Sequence, residues 1–490
     1  MLFNSITFAI FLPIVFLLYW FVFQRNLKLQ NFFVVVASYV FYGWWDWRFL
    51  LMIIFTSFCS WGSGLLMQRI DNQQIPSPRF SRKFLSISNI VLNLGILGVF
   101  KYYNFFVENF ISAFASVGLH LQPYTLKIIL PVGISFYTFQ ALSYSIDVYK
   151  RKIEATKDLV AFFAYIGFFP LLVAGPIERA TNLLPQFYKK RTFDYEKVVD
   201  GMRQILWGLF KKIVIADNCA TYVNLVFENP QDQTGSTLLL GAIFFAFQIY
   251  GDFSGYSDIA IGTARLFGIK AMRNFAYPYF SRDIAEFWRR WHISLTTWFR
   301  DYVYIPLGGS RGTKWQVVRN TFIIFLVSGF WHGANWTFIV WGAFHAVLFL
   351  PLILLNKNRK YTNTVAENKF FPNIKEIFNI GLTFLLVLIS WVFFRADSIG
   401  QIFEYFGGMA NMSLFSISVI QKTLALKCIF FALCMLAVEW IGRKEQYGIE
   451  KLGTQWNRVY RLIFYYILII IILWFWLASD GQKQFIYFQF

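Results

Sequence analysis

The sequence predicts an all-α, polytopic membrane protein with about 11–12 transmembrane helices plus re-entrant segments. Three observations predict it. The chain is 57% hydrophobic and only 14% charged, where a soluble domain carries roughly 25% charged residues. Apolar runs near the ~20 residues needed to cross the bilayer recur from end to end. Lys and Arg collect in the short loops between those runs, as they do in the cytoplasmic loops of membrane proteins. The net charge of +19 would suggest a nucleic-acid partner in a soluble protein. Here the basic loops account for it, and no nucleic acid is expected.

The elements follow in order. ITFAIFLPIVFLLYWFVF (6–23) is too long for the apolar part of a signal peptide and has no basic segment before it, so it reads as the first span. Arg25 and Lys28 after it put the N-terminus outside. Spans near 31–45 and 48–67 form a hairpin whose tip, GWWDWRF (43–49), is an interfacial aromatic belt. A basic loop at 68–83 precedes a span near 84–101, an outer segment with His120, and the span 131–149. The run 158–177 contains Pro170, Gly175 and Pro176 and is basic on both flanks. It reads as a re-entrant hairpin, and irregular backbone at that depth is tolerated only when buried in protein or lining a cavity.

Residues 195–212 read as an interfacial amphipathic helix. Spans near 213–229 and 236–262 follow. Segment 265–319, dense in arginine, is cytoplasmic or re-entrant and long enough to form a structured cap. The apolar stretch 321–355 must be a helical hairpin turning near Gly333–Asn335. The last spans lie near 377–394, 422–440 and 459–478. An even count leaves both termini outside. No internal repeat is visible, which disfavours an inverted-repeat transporter.

Two segments carry the chemistry: 287–312, crowded with Arg and Trp, and 328–345. Of four histidines, His332 lies inside an apolar stretch, where a titratable side chain is costly and is a functional candidate by default. Gly329 and Gly333 leave room for a ligand beside it, and Trp331 and Trp336 add apolar walls. A desolvated imidazole is neutral and can act as a general base. His292 stands at helical spacing from Trp288 and Arg289. His120 and His345 read as structural. Asp252 and Asp258 lie in the apolar stretch 250–262, where a carboxylate needs a partner; a structural ion pair with a nearby arginine is the expected arrangement.

No metal site is expected, because there is no HExxH and no Cys/His cluster at ligand spacing. The four cysteines, in or beside apolar segments with no CxxC pair, read as inert thiols. GGSRG (308–312) fits a serine nucleophile elbow only on an α/β sheet, so here it reads as a flexible loop. The final FIYFQF (485–490) reads as an interfacial aromatic tail whose phenol, Tyr487, could act as a reactive arm at the outer face.

Five segments together resemble the membrane-bound O-acyltransferase (MBOAT) superfamily, in its bacterial branch of alginate O-acetylation and teichoic-acid D-alanylation membrane subunits. They are PVGISFYTFQ (131–140), LVAGPIER (172–179), DFSGYSDIAIG (252–262), FWRRWHISLTTWFRDYVYIPLGGSRG (287–312) and SGFWHGANW (328–336). The resemblance covers nearly the whole chain, read as a single domain over 1–490. It implies a ring of tilted helices around a central funnel or tunnel. It implies His332 as the catalytic residue and His292 as its Trp-adjacent second position, with Trp331, Asn335, Asp252, Asp258, Trp288 and Arg289 supporting the tunnel. It further implies acetyl-CoA as donor substrate, with no permanently bound cofactor, and an extracytoplasmic SGNH-type partner that modifies a glycan. The tail is similar to one in which a tyrosine is proposed to carry the acyl group, here Tyr487.

The expectation is therefore an O-acetyltransferase of the bacterial inner membrane that passes acetyl outward for O-acetylation of an extracellular polysaccharide or cell-wall glycan. Carrier-protein-dependent D-alanyl transfer and a non-enzymatic glycan or lipid transporter are the alternatives.

Overall fold

The computed structural model describes residues 1–74, 81–119, 121–122, 125–126, 129–173, 175–416, 420–478 and 485–486. Every regular element among them is a helix. The chain groups into two compact units: Met1–Val198 with Thr263–Met272, and Val199–Gly262 with Arg273–Phe490. His120 and Tyr487 lie outside the described residues.

In the first unit the organising element is Ile134–Tyr149, buried along almost its whole length. It packs against Arg48–Asp71, Arg82–Leu97 and Leu159–Gly167. The close approach of Arg48–Asp71 needs Gly64, where a Cβ would meet the Tyr144 ring at 2.8 Å. A polar seam of Ser60, Asn89 and Asn93, hydrogen-bonded at 2.9–3.4 Å, ties two of these helices together, as hydroxyl and amide side chains do between membrane helices.

The expected re-entrant break is present. Helix Leu159–Gly167 stops at Phe168 and a single turn, Phe169–Leu172, restarts with Pro170 near its N-terminus. Breaking the helix frees backbone N–H groups that must find partners at depth. One of them, Phe169 N–H, donates to Ser38 Oγ at 3.0 Å.

In the second unit a seam of glycines sets the architecture. Gly201 and Gly208 face Gly262 and Gly255. A Cβ at any of Gly208, Gly255 or Gly262 would meet a backbone carbonyl of the facing segment at 2.6–2.8 Å. The 32-residue helix Gly235–Leu266 therefore lies backbone to backbone against Tyr195–Leu209 and the π-helical turn Phe210–Ala216 that continues it. This corrects the reading of 195–212 as wholly interfacial, because Lys211 and Lys212 at its end are 3% and 1% exposed.

The expected hairpin is formed by Lys314–His332 and Trp336–Leu354, with the turn at 333–335. Thr313 and Gln316 make a capping box at its entry. Asn335 caps the second helix, accepting from Thr337 N–H at 3.0 Å and donating to the Asp397 carbonyl at 2.9 Å.

Seven helices among the described residues are long and apolar enough to span a bilayer: Arg48–Asp71, Arg82–Ala115, Gly235–Leu266, Trp336–Leu354, Ile374–Arg395, Lys422–Ile441 and Arg458–Ala478. This is fewer than the eleven or twelve spans expected. Several expected spans are shorter helices, such as Ile134–Tyr149 and Asp217–Glu228.

Candidate active site

The site is built from the hairpin tip and the arginine-rich segment, all within the second unit. His332 is the last residue of the first hairpin helix, where the chain turns extended at Gly333. It is 4% exposed. Its ring lies 4.9 Å from Trp331, 5.2 Å from Trp341 and 5.2 Å from Phe394, centroid to centroid.

His292 was expected on a helix with Trp288 and Arg289. Instead that helix ends at Arg290, and His292 sits between two short helices with φ +42° and ψ +55°. A left-handed residue of this kind is held by its surroundings. Here Ile293 N–H donates to the Asn274 carbonyl at 2.9 Å and Ala276 N–H to the Arg290 carbonyl at 3.0 Å, clamping the kink on both sides.

Asn274 also defines the imidazole. Its Oδ1 accepts from Ser294 N–H at 3.3 Å and from Ser294 Oγ at 2.9 Å, and its Nδ2 donates to Ser257 Oγ at 3.0 Å. A backbone N–H can only donate, so the amide orientation is set. His292 Nδ1, 3.1 Å from the same Oδ1, must then carry the proton, which leaves the lone pair on Nε2. That Nε2 is buried without a hydrogen-bond partner among the described residues. Burial pushes the imidazole from its ordinary 6.5 down to about 3, because desolvation disfavours the charged ring. His292 is thus a neutral base with one nitrogen tethered and the other available.

Trp331 joins the two histidines. Its ring lies 6.1 Å from His292 and 4.9 Å from His332. Trp341 in turn separates His332 from His345, at 5.2 and 4.9 Å. His345 Nδ1 accepts from Trp288 Nε1 at 3.3 Å, so Trp288 supports His345 and not His292.

Other expected supports are reassigned. Gly329 and Gly333 do not open space for a ligand. A Cβ on Gly329 would strike the Phe338 carbonyl, and one on Gly333 the Phe338 ring. Their smallness lets the hairpin helices touch. Trp336 is 53% exposed and does not wall His332; Trp341 and Phe394 do. Asn335 holds the hairpin turn, as its cap geometry requires.

Arg289 donates to the carbonyls of Asn358 at 2.5 Å and Tyr361 at 2.6 Å. The two arginines flanking Glu286 are also committed: Arg282 and Arg290 reach its carboxylate at 2.9 and 2.8 Å, with Glu286 1% exposed. Asp258 and Asp252 pair with lysines, not arginines: Lys211 Nζ lies 2.5 Å from Asp258, and Lys212 Nζ 2.7 Å from Asp252. The glycine seam is the reason, since it brings the lysine-bearing turn directly onto the carboxylate-bearing helix.

A cavity of about 290 Å³ lies below the hairpin tip. Trp288, Leu295, Phe299, Ile324 and Phe325 form apolar walls. Arg289, Arg300, Tyr304 and Arg359 add polar groups. Ser328 on its wall is one helical turn before His332, about 6 Å along the axis. No group of His, Cys, Asp and Glu among the described residues could hold a metal ion.

Sequence reasoning missed Asn274, which gives no signal in a basic loop. It also missed Glu439, a carboxylate in the apolar helix Lys422–Ile441 that accepts from Tyr250 OH at 2.9 Å. The rule that flagged Asp252 would have flagged it too.

Comparison with known proteins identifies the family. Residues 85–394 match the model of MBOAT, the membrane-bound O-acyltransferase family. The chain is 38% identical to the probable alginate O-acetylase AlgI of Pseudomonas aeruginosa over 91% of its length and 82% of the relative's. It is 33% identical to the peptidoglycan O-acetyltransferase of Helicobacter pylori, over 86% and 82%. It is 30% identical to the teichoic acid D-alanyltransferase of Bacillus subtilis, over 56% and 68%. The chain belongs to the membrane-bound O-acyltransferase family and is an O-acyltransferase of the membrane.

Proposed function

We propose that this protein takes acetyl from cytoplasmic acetyl-CoA and passes it across the bacterial inner membrane. An extracytoplasmic SGNH-type partner then O-acetylates a polysaccharide or cell-wall glycan. The observation that carries this reading is the pair of buried imidazoles on Trp331, with His332 one helical turn from Ser328 on the wall of an apolar cavity that Arg289, Arg300 and Arg359 also line. Apolar walls with a few placed polar groups suit a thioester donor, and Arg300 and Arg359 suit its phosphates.

The step needs a hydroxyl and a base. His332 takes the hydroxyl proton, assisted by His292 through its available Nε2. The hydroxyl oxygen attacks the acetyl carbonyl, the C–S bond breaks, and the departing thiolate takes the proton back. The accepting hydroxyl is that of Tyr487, the residue after Ile486, which carries the acetyl outward as an ester. The acetylases' longer match supports acetate over D-alanine as cargo: 91% of this chain against 56% for the D-alanyltransferase.

The test is the base-labile acetyl ester content of surface glycans in cells carrying His332→Ala at matched membrane levels. A general base contributes about 10²–10⁴-fold, so esters should fall to background. Unchanged esters in a folded variant remove His332 from the chemistry. Tyr487→Phe deletes one oxygen and should abolish the esters as well; near-normal esters would remove Tyr487 from the route.

A further inference from the structure

Phe485 and Ile486 are docked inside the second unit. Phe485 and Ile486 are 0% and 2% exposed, buried like core residues although they lie within six residues of the C-terminus. Ile486 N–H donates to Asp252 Oδ2 at 2.7 Å. The other oxygen of Asp252 lies 2.7 Å from Lys212 Nζ, which reaches Asp217 at 2.9 Å. Lys212 thus holds one oxygen of Asp252, and the other oxygen accepts from the tail's backbone N–H. A hydrogen bond of this charge-assisted kind is short and roughly twice as strong as a neutral one.

The side chain beside that bond is held by rings. Phe485 packs on Tyr256 at 4.4 Å and Phe253 at 5.8 Å. Phe253 in turn presents its edge to His292 at 4.5 Å. One aromatic layer therefore separates the docked tail from the imidazole that holds a lone pair ready.

We propose that Asp252, backed by Lys212 and Asp217, is the anchor that docks the C-terminal tail beside His292. It is a positioning residue. It bonds the backbone at Ile486 and serves acetyl transfer by keeping the tail in register. The inference rests on the relay reading for its purpose but not for its geometry. The carboxylate recognises backbone, and the Tyr256–Phe253 surface selects an aromatic ring at position 485, so docking needs no reaction to occur.

The experiment uses full-length protein in native membranes, with Cys219 as the one native cysteine kept and Ile486→Cys added. A maleimide reports exposure of position 486, and Cys219, 0% exposed, reports loosening of the core. With Asp252 present both thiols should stay unlabelled. Losing a hydrogen bond to a charged group shifts a docked-to-released ratio by about 10- to 100-fold. Asp252→Ala should therefore raise labelling at 486 at least tenfold and leave Cys219 silent. Asp252→Asn keeps an acceptor of the same shape and should fall between; it serves as the test where the alanine variant fails to fold.

Labelling at 486 that stays at the wild-type level, or that rises together with Cys219, overturns the anchor. Glycan esters are measured on the same cells. If 486 is released and esters fall, anchor and relay stand together. If 486 is released and esters persist, the anchor stands and the relay through the tail falls.

Discussion

Asn274 should govern the rate although it touches no substrate. Its Oδ1 receives His292 Nδ1, Ser294 N–H and Ser294 Oγ, and its Nδ2 reaches Ser257. Asn274→Ala removes the acceptor that fixes the imidazole tautomer. A buried donor left unsatisfied costs about 1–3 kcal/mol. If that energy separates the competent tautomer from the alternative, its loss is a factor of about 5 to 150 in the competent population. The ceiling is the contribution of the base itself, about 10²–10⁴-fold.

Asn274→Asp keeps an oxygen facing Nδ1 and holds the proton there more strongly, and its second oxygen can accept from the Ser257 hydroxyl, but it buries a charge that the amide did not carry. Glycan ester formation should therefore rank wild type above Asn274→Asp, and Asn274→Ala last. The assay is initial ester formation at matched protein level, with thermal unfolding in detergent run alongside to separate rate from stability. Wild-type rates in a folded Asn274→Ala protein would refute the tautomer argument. So would equal loss in both variants, because it would show that the amide matters only as packing.

Two further predictions concern packing and protons. Gly329→Ala places a methyl against the Phe338 carbonyl inside the hairpin. Overpacking of this kind costs about 1–3 kcal/mol, so the melting temperature in detergent should drop, whereas an unchanged melt would mean the hairpin tolerates separation. His292 titrates near 3 when folded against 6.5 ordinarily, so the unfolded state binds more protons in between. Stability should fall as pH drops through 6.5 and level off below about 3. In His292→Gln that part of the slope should vanish in pH-dependent melts; an identical slope in both proteins would assign the protons elsewhere.

The buried ion pairs make a separate point about basic residues in this chain. Arg282 and Arg290 share Glu286, and Arg289 is consumed by the carbonyls of Asn358 and Tyr361. A dense arginine segment is thus first a structural knot, since a buried guanidinium without partners is costly. Of the arginines lining the cavity, Arg289 is committed in this way, whereas Arg300 pairs with its neighbour Asp301 at 2.8 Å in an exposed contact that a phosphate can replace.

By itself the sequence determined the solvent in which this chain lives, the helical hairpin within 321–355, the break near Pro170 and the candidacy of His332 and His292. Each rests on a local rule: apolar run length, helix-breaking residues, or the cost of a titratable group among apolar neighbours. Those rules act over tens of residues and are written in consecutive letters. The tertiary structure decided which groups meet. It put Asn274 on His292, 18 positions away, and Lys212 on Asp252, 40 positions away. It also turned Gly329 from a ligand gap into a helix contact and seated Ile486 on Asp252, 234 positions distant in the chain. Hydrogen-bond partners at such separations are chosen by how closely two backbones can approach, and that closeness comes from packing the glycine seams of folded helices against one another.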